Sequence, residues 1–215
     1  TKRLSFVGSY HPSVASQSDD TEVVTNDSEL SKNMIISGPN ASGKTTLLKS
    51  NLINVLLSQQ IGFGFYSDAV IPIFNHIHCY INIPDTTERD SLFQAEARRC
   101  KEMIDRIDAE ASGRHFCIMD ELFSGTNPTE AVAGAEAFIQ YISNNANVSF
   151  MMTTHYTDLC KKFKRSKTVA NYQMMSTMVG DSIHYTYRLG RGVSKVNGGA
   201  AVIRDLGYPD EIIEQ

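Results

Sequence analysis

The residues with the strongest chemical signal lie in two short runs. Gly38-Pro39-Asn40-Ala41-Ser42-Gly43-Lys44-Thr45, continuing into Thr46, fits the G-x-x-x-x-G-K-[ST] spacing of a phosphate-binding loop. Glycines let the backbone bend and approach a phosphate closely, because no Cβ intervenes. Several N–H groups then point at the oxygens, and the helix that follows adds its positive end. In such a loop Lys44 reaches the β- and γ-phosphates of a nucleotide, and the Thr45 hydroxyl ligates Mg²⁺. The same pattern also fits a glycine-rich turn with a surface lysine. Its context favours the nucleotide: Met34 to Ser37 reads as a buried strand, and Leu48, Leu52, Val55 and Leu56 fall on one helical face after it. The second run, His115-Phe116-Cys117-Ile118-Met119-Asp120-Glu121, is apolar and ends in two acids. A buried strand of this kind delivers carboxylates to the carboxyl edge of a parallel sheet, where ligands bind in open α/β folds. Asp120 is placed to hold Mg²⁺, directly or through water, and Glu121 to polarise an attacking water. A solvated acidic turn is the alternative, and the position downstream of the loop favours the functional reading. A third apolar run, Val148 to Thr154, ends at His155. That histidine either bonds a γ-phosphate and its water or is structural.

The elements that must position these groups alternate along the chain. The order is strand, phosphate loop, helix to about Ser58, strand, helix, acid strand, helix, strand and histidine. This predicts an α/β fold with a largely parallel sheet and helices on both faces. Ser91-x-x-Gln94 reads as a capping box opening a helix from about Leu92 to Ala111, which Gly113 ends. Ala97, Met103, Ile104 and Ile107 give it a core face. Asn127, Pro128 and Glu130 read as N-cap, first position and capping-box partner of a helix reaching Asn144. Its inward residues are Ala131, Ala135, Phe138, Ile139 and Ile142.

Other stretches carry weaker signals. Tyr10-His11-Pro12 reads as a turn, Ser16 to Asp27 as a loop, and Val23 to Asp27 as an edge strand. Ile61 to Phe65 and Val70 to Phe74 read as β structure, punctuated by Gly62, Gly64 and Pro72. His76-Ile77-His78 alternates, so the two histidines share a face; a solvated face is favoured over a metal pair, since no third ligand lies near in sequence. Asp85 to Asp90 reads as a loop. Lys161 to Arg165, with Lys167, reads as a solvated basic helix end, with phosphate-backbone contact as the alternative. Thr168 to Tyr187 predicts antiparallel strands turning at Gly180-Asp181. Ala200 to Leu206 and Asp210 to Ile213 read as helical beyond Gly198-Gly199.

Bulk properties narrow the class. The 215 residues are 41% hydrophobic and 20% charged, with a net charge of -4. That suits one globular domain and gives no general electrostatic attraction to nucleic acid. Cys79, Cys100, Cys117 and Cys160 form no C-x-x-C pair, which points to a reducing intracellular compartment (cytoplasm or nucleus) rather than secretion. No membrane-spanning run is evident. The chain starts at Thr1 and stops within a helical pattern, so it is expected to be a piece of a longer protein.

Jointly, several segments resemble one family. They are Gly-Pro-Asn-Ala-Ser-Gly-Lys-Thr-Thr, Asp120-Glu121-Leu122-Phe123-Ser124-Gly125-Thr126, Thr153-Thr154-His155-Tyr156, Gly192-Val193-Ser194-Lys195 and Leu206-Gly207-Tyr208-Pro209. The chain from about His11 to Gln215 is similar to the ABC-type ATPase domain of the MutS mismatch-repair proteins. The resemblance implies a P-loop ATPase fold spanning 1–215, without the mismatch-reading, clamp and lever domains and with a truncated helix-turn-helix. It implies Mg²⁺-dependent ATP hydrolysis by a dimer, homo- or heteromeric, that gates a clamp on double-stranded DNA held by domains outside this chain, with no membrane. A related reading keeps the fold but uses ATP as dimer glue in a non-repair role. The resemblance assigns Asn40, Lys44 and Thr45 to phosphates and Mg²⁺, Asp120 to the metal, Glu121 to the water and His155 to the γ-phosphate. Ser91, in Ser-Leu-Phe-Gln-Ala-Glu, would contact the partner's γ-phosphate, with Thr126 and Asn127 at the dimer seam. Adenine would lie between Val23, where the family usually has phenylalanine, and Tyr187. The loop after Glu121 departs from the family's usual Ile-Gly-Arg-Gly-Thr-like run, which points to a divergent branch.

Overall fold

Alternating apolar residues that are buried on both sides build the centre of this molecule. The computed structural model describes residues 4–16, 23–81, 91–180 and 182–196. The expectations for Asp85 to Asp90, Gly198-Gly199, Ala200 to Leu206, Leu206 to Pro209 and Asp210 to Ile213 lie outside these residues, as does part of the Ser16 to Asp27 loop.

Six strands form the main sheet. In sheet order they are β5 (His76–Tyr80), β6 (His115–Asp120), β7 (Val148–Thr154), β3 (Asn33–Ser37), β8 (Val169–Val179) and β9 (Ser182–Arg191). The first five run parallel, and β9 pairs antiparallel with β8 about a turn at Gly180, φ 61°. A second, antiparallel sheet has the order β2 (Asn26–Glu29), β1 (Ser5–Ser9), β4 (Asp68–Val70). The fold is therefore α/β with a mostly parallel mixed sheet and an added antiparallel portion, as the alternation of elements predicts.

The period-2 rule divides the core into two layers. Ile35, Cys117, Met119, Phe150 and Met152 face α3 (Leu92–Ala109), α4 (Pro128–Ser143) and α5 (Thr157–Lys162). Met34, Ile36, Phe116, Ile118 and Met151 face α2 (Lys44–Ile61) and the antiparallel sheet. Phe150 is fully buried, and its N–H donates to Asn33 Oδ1 at 2.9 Å. Phe150→Ala is expected to cost about 3–5 kcal/mol in urea unfolding, and a loss under about 1 kcal/mol would contradict this packing.

Four expectations need correction. First, α2 buries only part of the Leu48–Leu52–Val55–Leu56 stripe: Leu48 and Val55 are fully buried and Leu52 packs against the core, but Leu56 is 36% exposed, while Asn51 and Asn54 are fully buried. The inward face carries these polar side chains because they tie down neighbouring chain. Asn51 Oδ1 accepts from Ser28 Oγ at 2.9 Å, and Asn54 Oδ1 accepts from the Phe65 N–H at 2.7 Å. Second, between Ile61 and Phe74 only Asp68–Val70 is a strand. Side chains replace the ladder there: Phe74 N–H donates to Gln59 Oε1 at 2.7 Å. Third, Gly113 does not cap α3, which ends with Glu110 as its C-cap. Fourth, Tyr10-His11-Pro12 is not only a turn, because His11 caps a short helix, α1 (Pro12–Ala15), accepting from the Ser13 N–H.

The α3 capping box and the Asn127 cap of α4 form as expected, and all five inward residues of α4 are buried. Glu130, however, does not close a box; its carboxylate accepts from the Thr126 hydroxyl. The cysteines are free thiols, three of them buried. Among the described residues no helix is long and apolar enough to cross a membrane.

Candidate functional site

Sheet order decides what meets at the carboxyl edge. Strand β7 lies between β3 and β6, so the loop after β3 and the acids ending β6 flank the end of β7. In register, Asp120 stands opposite Thr153, and Ser37 opposite Thr154. Thr153 Oγ1 donates to Asp120 Oδ1, and Thr45 Oγ1 donates to Asp120 Oδ2 at 2.8 Å. One carboxylate thus ties the first turn of α2 to the acid strand. Thr153 escaped the sequence reading; its signal was a threonine pair ending an otherwise apolar strand.

The loop from Gly38 to Gly43 is shaped by two left-handed residues, Ala41 at φ 63° and Gly43 at φ 91°. Gly43 is the N-cap of α2 and offers no side chain to the first-turn N–H groups. The Lys44 ammonium folds back over the loop and donates to the Gly38 carbonyl at 3.0 Å and the Pro39 carbonyl at 3.1 Å. It is 5% exposed, and Glu121 Oε1 lies 3.5 Å away. The Ser42 hydroxyl is buried beneath the loop without a hydrogen-bond partner. A Cβ on Gly38 would stand 2.8 Å from that hydroxyl and 3.3 Å from Met174 Cβ, so the loop packs closely at this glycine.

Glu121 sits between the Lys44 ammonium and the His155 imidazole. His155 Nδ1 lies 3.5 Å from its Oε2, opposite the Lys44 contact. The hydrogen bond from His155, ahead of the Lys44 charge, holds the carboxyl below its ordinary range against the opposing effect of burial. Its backbone is left-handed, φ 51°, as is that of Phe123, φ 57°. Such conformations in non-glycine residues cost about 1–3 kcal/mol each and cluster at functional sites.

A cavity of about 770 Å³ opens beside these groups. Asn40, Ala41, Gly43, Lys44, Thr45, Thr46, Asp120 and Glu121 line it, together with Val23 and Tyr187. Tyr187 leans over the loop: a Cβ on Gly43 would meet its Cδ1 at 3.2 Å. Asn26 fixes that arrangement, donating from Nδ2 to the Tyr187 carbonyl at 2.9 Å and accepting from the Leu189 N–H at 2.7 Å. Sequence reading named the element containing Asn26 but not this clamp, because its partner lies in β9. Gly38, Pro39 and Ser42 support the loop without lining the cavity. His155 opens instead on a second recess with Pro128, Thr129 and Tyr156. Ser91 lies outside both, as the exposed cap of α3.

The other two candidates resolve differently. His76 and His78 are half-buried rather than solvated, stacked with His115 at ring separations of 4.7 and 5.2 Å. The third imidazole comes from the adjacent strand, opposite His76. Burial, then the neighbouring imidazoles, lowers the His78 pKa to about 4. Among the described residues no three His, Cys, Asp or Glu side chains are arranged to hold a metal ion. Lys161 and Lys162 pair with Asp158 at 2.7 Å and Glu136 at 3.3 Å, in keeping with a solvated helix end.

Comparison with known proteins agrees with this arrangement. Residues 34–215 match the family described as MutS domain V. The whole chain is 26% identical to the DNA mismatch repair protein MutS of Staphylococcus saprophyticus, covering 24% of that protein. It is 28% identical to the MutS of Leuconostoc mesenteroides over 94% of the chain and 24% of the relative. For the MutS of Aquifex pyrophilus the values are 28%, 89% and 22%. The chain thus spans about a quarter of the length of these relatives. With most of its length matching one family description, this chain belongs to the MutS family and corresponds to its domain V.

Proposed function

We propose that this domain is a P-loop ATPase of the ABC type that binds and hydrolyses ATP as part of a MutS-like protein acting in DNA mismatch repair. The observation that carries the reading is the meeting of the Gly38–Thr45 loop with both acids, through Thr45 on Asp120 and Lys44 on Glu121. The residues present fit a magnesium triphosphate. An uncapped helix start and a buried ammonium held by two loop carbonyls beside Glu121 both suit phosphate oxygens. Thr45 and Asp120 would hold Mg²⁺, which supplies charge neutralisation for the β- and γ-phosphates.

Each residue then has a distinct task. Lys44 turns from the loop carbonyls to the phosphate oxygens and offsets the charge that develops on them. Glu121, kept ionised by His155 and Lys44, accepts a hydrogen bond from the water and orients it for in-line attack. His155 fixes the Glu121 carboxylate and acts on the γ-phosphate side through it. Tyr187 and Val23 supply the flat and apolar walls that a purine needs. Ser91 completes the site of a second domain of the same kind, in a homo- or heterodimer. Double-stranded DNA is held by segments outside this chain, and dimer closure on ATP gates that hold.

Titration with a fluorescent ATP analogue, with and without Mg²⁺, tests the site. Wild type is expected to bind more tightly with Mg²⁺, and Asp120→Asn to lose about 10-fold or more of that gain while keeping the metal-free affinity. Equal behaviour of the two proteins would place the metal elsewhere.

A further inference from the structure

Helix α3 carries an acid where its core face should be apolar. Glu96 is 2% exposed, and a buried carboxylate is costly unless its oxygens are bonded. Beside the Tyr80 hydroxyl of β5, its partners are donors from one loop. Oε1 accepts from the Ser124 N–H at 3.0 Å and the Ser124 hydroxyl at 2.9 Å, and Oε2 accepts from the Gly125 N–H at 3.0 Å. That loop directly follows Glu121.

Further contacts press the loop onto the start of α3. A Cβ on Gly125 would stand 2.7 Å from Leu92 Cγ and 2.8 Å from the Phe93 nitrogen. The Phe93 and Phe123 rings lie 5.7 Å apart. The Phe123 N–H donates to the Tyr80 hydroxyl at 3.4 Å. At the other end of this turn, the Ser91 N–H donates to Gln94 Oε1 at 2.9 Å, and the Ser91 hydroxyl accepts from the Gln94 N–H. Cap, helix turn, buried carboxylate and acid-bearing loop are therefore one connected unit.

We propose that Glu96 is a positioning residue that links the Ser91 cap to the Glu121 loop, so that docking of Ser91 on a partner's nucleotide and alignment of Glu121 in its own site occur together. The inference rests on the function proposed above and adds communication between the two sites of a dimer. It follows from the bonding: three bonds from Ser124 and Gly125 to one buried carboxylate tie the loop to α3.

The test uses full-length dimers with one working site. In the reference dimer, one subunit carries Glu121→Gln. In the first test dimer the partner subunit also carries Glu96→Gln, so the substitution lies beside the working acid. In the second, Glu96→Gln is placed on the Glu121→Gln subunit, so it can reach the working site only through Ser91. Glu96→Gln keeps the shape but turns an amide toward donors. In both test dimers kcat is expected to fall about tenfold or more, with ATP affinity unchanged. A fall in the first dimer alone would mean that Glu96 serves only its own loop, and unchanged rates in both would mean it is structural; either overturns the link. If Glu96→Gln fails to fold, Ser124→Ala removes one donor, and a fall of about threefold or more in both dimers is expected instead. A wild-type protein without ATP hydrolysis would defeat the function reading itself, which is a separate outcome.

Discussion

Glu121→Gln is expected to slow steady-state phosphate release by about two to four orders of magnitude, the usual worth of a positioned acid–base group. ATP affinity should remain, because Lys44, Thr45 and Asp120 keep their places. The substitution preserves the side-chain shape, and Lys44 stays bonded to the Gly38 and Pro39 carbonyls. Equal rates in the two proteins would support the alternative in which ATP only holds a dimer closed. The same variant has a pH signature. The folded carboxyl titrates below its unfolded value of 4.5, so its stabilising contribution is complete above that value. It is lost as pH falls through the lower folded value. Wild type should therefore lose stability below about pH 4.5 more steeply than Glu121→Gln in urea unfolding.

Lys44→Ala should weaken binding of an ATP analogue about 100-fold or more, since it removes charge-assisted bonds to two phosphates. The ammonium is buried in the loop and aimed at the cavity, with Glu121 as its only carboxylate contact among the described ion pairs. Lys44→Met separates two effects. It retains the buried stem and removes only the charge, so an equal loss of affinity assigns the effect to the ammonium. The fold should persist in both variants, because the lysine bonds only its own loop and a side chain that is 32% exposed. Unchanged affinity in Lys44→Ala would remove the lysine from the site and with it the phosphate loop.

Legibility followed the range of each interaction. The loop, the acid strand and both helix caps depend on residues a few positions apart, so spacing exposed them. The Leu48–Val55 part of the α2 stripe was legible, but periodicity records apolarity and so missed Asn51 and Asn54, which turn inward to bond Ser28 and Phe65. The histidine pair looked solvated because its third member, His115, lies on the neighbouring strand. Glu96 was legible only as part of the segment that begins at Ser91, and its hold on the loop was not legible because its donors sit 28 and 29 residues away.

By itself, the order of residues determined the alternating α/β plan, the phosphate-loop pattern, the paired acids and the family. These are local patterns, set by backbone sterics and by the period of burial. Only the tertiary structure decided that Thr153 would bridge Asp120, that Asn26 would clamp Tyr187, and that Glu96 would hold the loop behind Glu121. Each of those contacts joins segments far apart in sequence, one across adjacent strands, one between the two sheets and one between a helix and a loop, and their meeting is a property of the whole packed fold rather than of any stretch of chain.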